Sequence, residues 1–204
     1  MEVVLATHNA HKVGEFQRIL GAAMPDVTVV AYDGPEPVED GTSFAENALI
    51  KARTAAAHTG LVALADDSGI CVDILGGAPG IFSARWAGGR AVTGANTDVA
   101  NLELLLAQLA DIPDPHRGAH FACAIAVVVP EAPGRLGWED VALGDWPGRL
   151  ATQAAGGGGF GYDPIFLPDG FDVSAAELPA DVKNAHSHRA RAFAAAIPLL
   201  QRVV

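Results

Sequence analysis

The stretch Leu61-Val62-Ala63-Leu64-Ala65-Asp66-Asp67-Ser68-Gly69-Ile70-Cys71-Val72-Asp73-Ile74-Leu75 sets two apolar runs around a pair of adjacent carboxylates. The runs predict two strands, Leu61 to Asp66 and Ile70 to Leu75, separated by a Ser-Gly turn. Carboxylates at the end of a buried strand are costly unless a counter-ion or a metal meets them. Hard oxygen ligands beside a glycine turn suit Mg2+. A strand end closed by solvated Asp residues and a turn accounts for the same residues equally well.

Elements on either side of this stretch alternate. Val3 to Ala6 reads as a short buried strand, Thr7 to His11 as a polar turn, and Lys12 to Leu20 as a helix with Val13, Phe16, Ile19 and Leu20 at helical spacing. Val27 to Ala31 is a second strand, followed by the Pro-rich acidic loop Asp33 to Gly41. Ser43-Phe44-Ala45-Glu46 is a capping-box pattern, so a helix is expected from Phe44 to His58. Further on, Asn96 to Ala110 reads as a helix with Val99, Leu102, Leu105, Leu106 and Leu109 inward. Ala119 to Val129, Trp138 to Leu143 and Arg149 to Ala154 read as strands. Ser187 is the expected N-cap of a last helix to Ile197, with Pro198 kinking or ending it. This order predicts an α/β fold, an elongated mixed sheet with flanking helices. No repeat and no linker divides the chain, so 1–204 is read as a single domain.

Composition narrows the partners. The chain has 204 residues, is half apolar and carries a net charge of −11. That charge argues against binding a nucleic-acid backbone or an anionic membrane through bulk electrostatics. A small polyanion held in a local basic pocket remains compatible with it. Cys71 and Cys123 lie in apolar stretches without CxxC spacing, which favours two buried thiols over a disulfide or a zinc site. The first residues lack a basic leader pattern and no apolar run reaches spanning length, so a cytoplasmic protein is expected.

Four clusters carry chemistry. Thr7-His8-Asn9-Ala10-His11-Lys12 leads from strand to helix, where free N–H groups bind anions and Lys12 suits phosphate. It lacks the Walker A glycine spacing, and helix capping by Asn9 is the plainer alternative. Glu36-Pro37-Val38-Glu39-Asp40-Gly41 is by itself a solvated turn, but with Asp66 and Asp67 it can complete a Mg2+ site. Four glycines, Gly156 to Gly159, precede Phe160-Gly161-Tyr162-Asp163-Pro164. Here Phe160 and Tyr162 can offer flat faces to a base and Asp163 can accept a hydrogen bond; a flexible loop with Phe160 and Tyr162 in the core is the alternative. Lys183 and Ser187-His188-Arg189 lie beside the last helix. His188 and Arg189 can donate to a carbonyl oxygen, favouring an oxo-purine over an aminopurine.

In order, Ala6 to Lys12, Ser43 to Ala48, Ala65 to Gly69, Leu75 to Arg85, Gly158 to Pro164 and Ser187 to Arg189 together resemble the inosine triphosphate pyrophosphatase family, the nonstandard purine NTP pyrophosphatases. The resemblance implies two lobes around a central substrate cleft, a homodimer, and Mg2+-dependent hydrolysis of ITP, dITP and XTP to the monophosphate and pyrophosphate. It implies Asp67 as catalytic acid, metal ligand and proton acceptor, and Ser68 as a substrate contact. It implies Thr7, His8, Asn9, Ala10, His11 and Lys12 as the phosphate-binding turn. Phe160, Gly161, Tyr162, Asp163, Lys183, His188 and Arg189 match the remaining substrate contacts. A second metal carboxylate is placed at Glu39, with Asp40 and Glu36 also within reach. His8 stands where many relatives carry a small residue, and Trp86 to Asn96 matches only loosely. Competing readings are a nucleotide-binding sensor without hydrolysis, a pyrophosphatase for pyrimidine or methylated nucleotides, and a generic phosphatase releasing orthophosphate.

Overall fold

In a computed structural model, residues 1–88, 97–132 and 135–203 are described, apart from the side chains of residues 10, 11, 15, 132, 135 and 136. Val3-Val4-Leu5 forms strand β1 (Glu2–Leu5), all three side chains fully out of water. It pairs in parallel with β2 (Thr28–Ala31) and β3 (Val62–Val72). A parallel strand covered on both faces requires such an unbroken apolar run. Helix α1 (Ala10–Ala23) connects β1 to β2, and α2 (Phe44–Thr59) connects β2 to β3. Then come α3 (Thr97–Gln108), β4 (Gly118–Ala132), β5 (Arg135–Leu150), β6 (Phe166–Pro168), α4 (Ala180–His186) and α5 (His188–Leu200). The sheet order is β2-β1-β3-β4-β5-β6, with β6 antiparallel to β5. The fold is therefore the mixed α/β sheet with helices that the element order predicts.

The chain divides into two compact units, Met1–Asp67 with Cys123–Gly144 and Arg191–Val204, and Ser68–Ala122 with Asp145–Ala190. In the first unit Leu5, Phe16, Leu20, Leu64, Ile125 and Phe193 build one core. A second core there sets Ala48, Ala52, Ala55 and Ala56 of α2 against Ala63, Ala65, Ala124 and Ala126 of the sheet. Small side chains on both surfaces let α2 lie close to the strands. In the second unit Ile70, Leu105, Phe121, Trp146, Tyr162 and Phe166 are the apolar centre.

Several boundaries depart from the sequence reading. The two strands expected around Asp66-Asp67 are one strand, β3, and the 3-10 turn Asp73–Leu75 replaces the end of the second. Trp138 to Leu143 and the residues up to Leu150 likewise belong to one long β5, and Ala151 to Ala154 leave the sheet. Leu102 and Leu105 of α3, and Leu109 just beyond its end, are buried as expected, whereas Val99 is 47% exposed. The expected helix start at Asn96, and Gly89 and Gly94 of the loosely matched segment, lie outside the described residues. Pro198 does not end α5, because it sits in the last turn, where one lost hydrogen bond is offset by burial of Ala192, Phe193, Ala196 and Leu200. Among the described residues no helix is long and apolar enough to cross a membrane.

The start of α2 follows the capping pattern. Ser43 Oγ accepts from Glu46 N at 3.2 Å, while the Glu46 carboxylate turns to Thr42 N and Thr42 Oγ at 2.6 and 2.7 Å. Ser43→Ala is expected to lower stability by about 1 kcal/mol, read from the urea midpoint at unchanged m. A midpoint that does not move would show that Thr42 and Glu46 hold this helix end without Ser43.

Candidate active site

Alternation along β3 distributes its charged residues between two helices. Successive side chains leave a strand on opposite faces. Leu64 joins the core that contains Phe16 and Leu20 of α1, so Asp66, two residues on, meets α1. Ala63 and Ala65 pack against the alanines of α2, so Asp67 meets α2. Lys12 Nζ of α1 donates to both Asp66 oxygens, at 2.9 and 3.0 Å, and the Asp66 side chain is only 5% exposed. This is the counter-ion that a buried carboxylate requires.

Asp67 has other partners. Asn47 Nδ2 donates to its Oδ2 at 3.2 Å, and Lys51 Nζ lies 3.5 Å from Oδ1. Asn47 and Lys51 stand one helical turn apart on α2, which places both on one face. Lys51 Nζ is also 3.2 Å from Glu39 Oε1. A lysine thus lies against both carboxylates that were assigned to a metal. Burial pushes the Asp67 carboxyl up from its ordinary value; Lys51 and the Asn47 hydrogen bond pull it back, while Glu39 and Asp66 raise it further. Among the described residues no three His, Cys, Asp or Glu side chains form a ready metal cage. Two hard-oxygen donors are nonetheless brought to one cation, Lys51, and a carboxyl made basic by burial favours a positive neighbour. Asp67 and Glu39 supply the one or two carboxylates that a Mg2+ site draws from a protein, so the donor set fits that ion.

The turn after β1 completes this part. Asn9 caps α1, its Oδ1 accepting from Lys12 N at 3.4 Å and its own N–H donating to Thr7 Oγ1 at 3.2 Å. The capping reading of Asn9 therefore holds, and the same geometry keeps Thr7 and Lys12 beside the helix start. His8 Nε2 lies 3.1 Å from Gly34 O, Nδ1 lies 3.0 Å from Glu36 Oε1, and the ring stacks on Tyr32. His8 is thus engaged with the acidic loop. Thr7, His8, Lys12, Glu39, Lys51 and Asp66 line a cavity of about 240 Å³. The side chains of Ala10 and His11 lie outside the described residues.

The other predicted residues belong to the second unit. Gly159 has φ +72°, and a Cβ there would collide with the Asp163 carboxylate, so only glycine fits. Asp163 Oδ2 accepts from Phe160 N at 2.8 Å and pairs with Lys183 Nζ of α4. Phe160 is 62% exposed, with Lys183 Nζ 5.6 Å and the Arg189 guanidinium 5.3 Å from its ring centroid. Tyr162 departs from expectation: it offers no open face but lies 5% exposed in the core. Its hydroxyl donates to Ser83 O at 2.8 Å, which is what allows a phenol to be buried there. Burial raises its pKa, and Asp98 adds to the shift. Arg189 Nη2 donates to Ser68 Oγ at 3.2 Å. His188 is 7% exposed and lies flat on Phe121, centroids 4.8 Å apart at 13°. Ser187 Oγ accepts from Ala190 N at 3.3 Å, the expected N-cap of α5.

Apart from the side chains of Ala10 and His11, each predicted residue thus has a described setting. Thr7, His8, Asn9, Lys12, Glu39 and Asp67 fall in one unit; Ser68, Phe160, Gly161, Tyr162, Asp163, Lys183, His188 and Arg189 fall in the other. Sequence reasoning missed Asn47 and Lys51. Their signal was present as two polar residues, at i and i+4, beside the alanine stripe of α2, where Asn47 is 1% exposed.

Comparison with known proteins extends over the whole chain. The model of the Ham1 family matches residues 3–199. A dITP/XTP pyrophosphatase of Leifsonia xyli subsp. xyli is 62% identical over 201 residues, which cover 98% of this chain and 96% of that protein. A dITP/XTP pyrophosphatase of Streptomyces coelicolor is 51% identical, covering 99% and 98%. The structure of a HAM1 protein from Coxiella burnetii is similar at TM-score 0.87 and 38% identity, covering 100% of both chains. That of a nucleoside-triphosphatase / dITP/XTP pyrophosphatase from Mycobacterium abscessus is similar at TM-score 0.79 and 47% identity, covering 97% of this chain and 100% of that one.

Proposed function

Since this chain belongs to the Ham1 family, we propose that it hydrolyses nonstandard purine nucleoside triphosphates, ITP, dITP and XTP, to the nucleoside monophosphate and pyrophosphate. The observation that carries the chemistry is Asp67, a largely buried carboxylate held by Asn47 and Lys51 and made more basic by its burial. Such a group suits the acceptance of a proton from water. The water oxygen bonds to the α-phosphorus, the α–β anhydride bond breaks, and the proton passes to Asp67. Pyrophosphate carries away the electron pair of the broken bond.

Thr7, Asn9, Lys12 and the start of α1 bind the phosphates, where free N–H groups and one ammonium favour an anion. Lys51 adds positive charge between Glu39 and Asp67. Asp67 and Glu39 would hold Mg2+, which when bound supplies charge neutralisation on the triphosphate. The exposed Phe160 ring takes the base, with Asp163 and Lys183 fixing the chain around it. His188 and Arg189 direct donors at the purine oxo group. Adenine presents an amino group there, leaving donors opposed, a mismatch that sites of this kind reject by about 10⁴-fold. A cytoplasmic homodimer completes the proposal.

The test is turnover of ITP, XTP, GTP and ATP, with and without Mg2+, pyrophosphate and orthophosphate being assayed separately. Pyrophosphate from ITP and XTP, little from GTP or ATP, and none after chelation are the expected results. Orthophosphate as the first product would move the cut to the β–γ bond and overturn the proposal.

A further inference from the structure

A run of four glycines has little conformational preference of its own, so the position of Phe160 must be imposed from outside the run. Several hydrogen bonds do this: Gly158 N donates to Ala176 O at 3.0 Å and Asp163 N to Phe160 O at 3.3 Å, and three more are donated by residues 160–162. Phe160 N donates to Asp163 Oδ2 at 2.8 Å, within the same loop. Tyr162 Oη donates to Ser83 O at 2.8 Å, in the core below it. Gly161 N donates to Asp98 Oδ2 at 3.1 Å, across 63 residues of chain. Gly161 has φ +60° and no side chain, so its amide is the handle by which the aromatic segment can be held. A carboxylate acceptor makes that bond stronger than a neutral one.

We propose that Asp98 is a positioning residue for base recognition, fixing Phe160 through the Gly161 amide. The inference rests on the reading of Phe160 as the surface that takes the purine. Asp98 stands in the first turn of α3. An acid there also complements the helix dipole whatever else it touches. The two roles separate on substitution. Asparagine keeps an acceptor oxygen and loses the charge; alanine loses both. A dipole role fails in both variants, a positioning role only in alanine.

The experiment compares full-length wild type, Asp98→Asn and Asp98→Ala by steady-state kinetics with ITP and by hydrogen exchange of the free protein. In Asp98→Ala, KM for ITP is expected to rise roughly ten- to a hundredfold while kcat stays within about threefold. Exchange over 159–162 is expected to accelerate. Asp98→Asn is expected to restore both readouts nearly to wild type. Equal damage in the two variants, or unchanged KM and exchange in Asp98→Ala, would overturn the proposal. A wild type that releases pyrophosphate from no purine triphosphate would remove the functional reading and the recognition role with it. Exchange would then still report whether Asp98 anchors the loop.

Discussion

Asp67→Asn is expected to lower kcat for ITP by about 10²- to 10⁴-fold while leaving ITP affinity within about threefold. Asparagine has nearly the same shape, and its amide oxygen can still accept from Asn47 Nδ2, now 3.2 Å from the carboxylate. What it loses is the charge that faces Lys51 at 3.5 Å and the ability to take a proton. Lys51 retains Glu39 at 3.2 Å, so no cation is left without a partner. Removing a charge that burial already penalises also limits any loss of folding stability. Turnover with Mg2+, and calorimetric binding of ITP without it so that the lost metal ligand does not enter, are the two measurements. Near-normal turnover would take Asp67 out of the chemistry. Equal losses in kcat/KM and in affinity would make it a binding residue instead.

The same two aspartates show what a local reading of the sequence can and cannot reach. That Asp66 and Asp67 need partners was legible, because buried carboxylates always do. That Ser68-Gly69 separates two strands is what the sequence suggests, and the structure shows otherwise, since β3 runs through all four residues, Asp66 to Gly69, from Val62 to Val72. The need for partners is met by Lys12 and Lys51, which lie far away in sequence, so no window around residue 66 contains the answer. Strand β5 repeats the lesson at Gly144-Asp145-Trp146-Pro147-Gly148, which looks like a turn. Gly148 is there because Leu167 O of β6 approaches too closely for a Cβ, and Trp146 is buried at 1% exposure. Tyr162 was legible as an aromatic among glycines, but its direction depended on Ser83, a partner that only the folded chain supplies. The helix starts were read well, because Ser43 and Ser187 act on amides three residues away.

The largest effect on stability is expected at a residue with no chemical role. Arg117→Met should cost about 3–5 kcal/mol, a large share of the stability of an ordinary domain. Arg117 is 1% exposed, and its guanidinium donates to backbone carbonyls. Nε reaches Leu150 O at 2.9 Å, Nη1 reaches Leu109 O at 2.6 Å and Ile112 O at 3.2 Å, and Nη2 reaches Ala151 O at 2.8 Å. Leu109 and Ile112 follow the end of α3, where carbonyls lack helical partners and a cation is favoured. Leu150 and Ala151 close β5, and Leu150 N returns a bond to Arg117 O at 2.9 Å. A planar guanidinium serves two chain ends at once and is weakly hydrated, which lowers the cost of burying it. Methionine keeps the apolar stem and supplies no donor; lysine concentrates its donors at one point and cannot span both ends. The readout is a lower urea midpoint at unchanged m. A loss below about 1 kcal/mol would mean that the carbonyls find other donors, and the clamp would carry little. The consequence reaches the site, because the chain leaves β5 at Ala151, whose N–H binds Ile165 O at 2.8 Å, and runs on to the glycines before Phe160. A slack β5 end would therefore also loosen the loop that Asp98 holds, so Arg117→Met is expected to raise KM for ITP more than it lowers kcat.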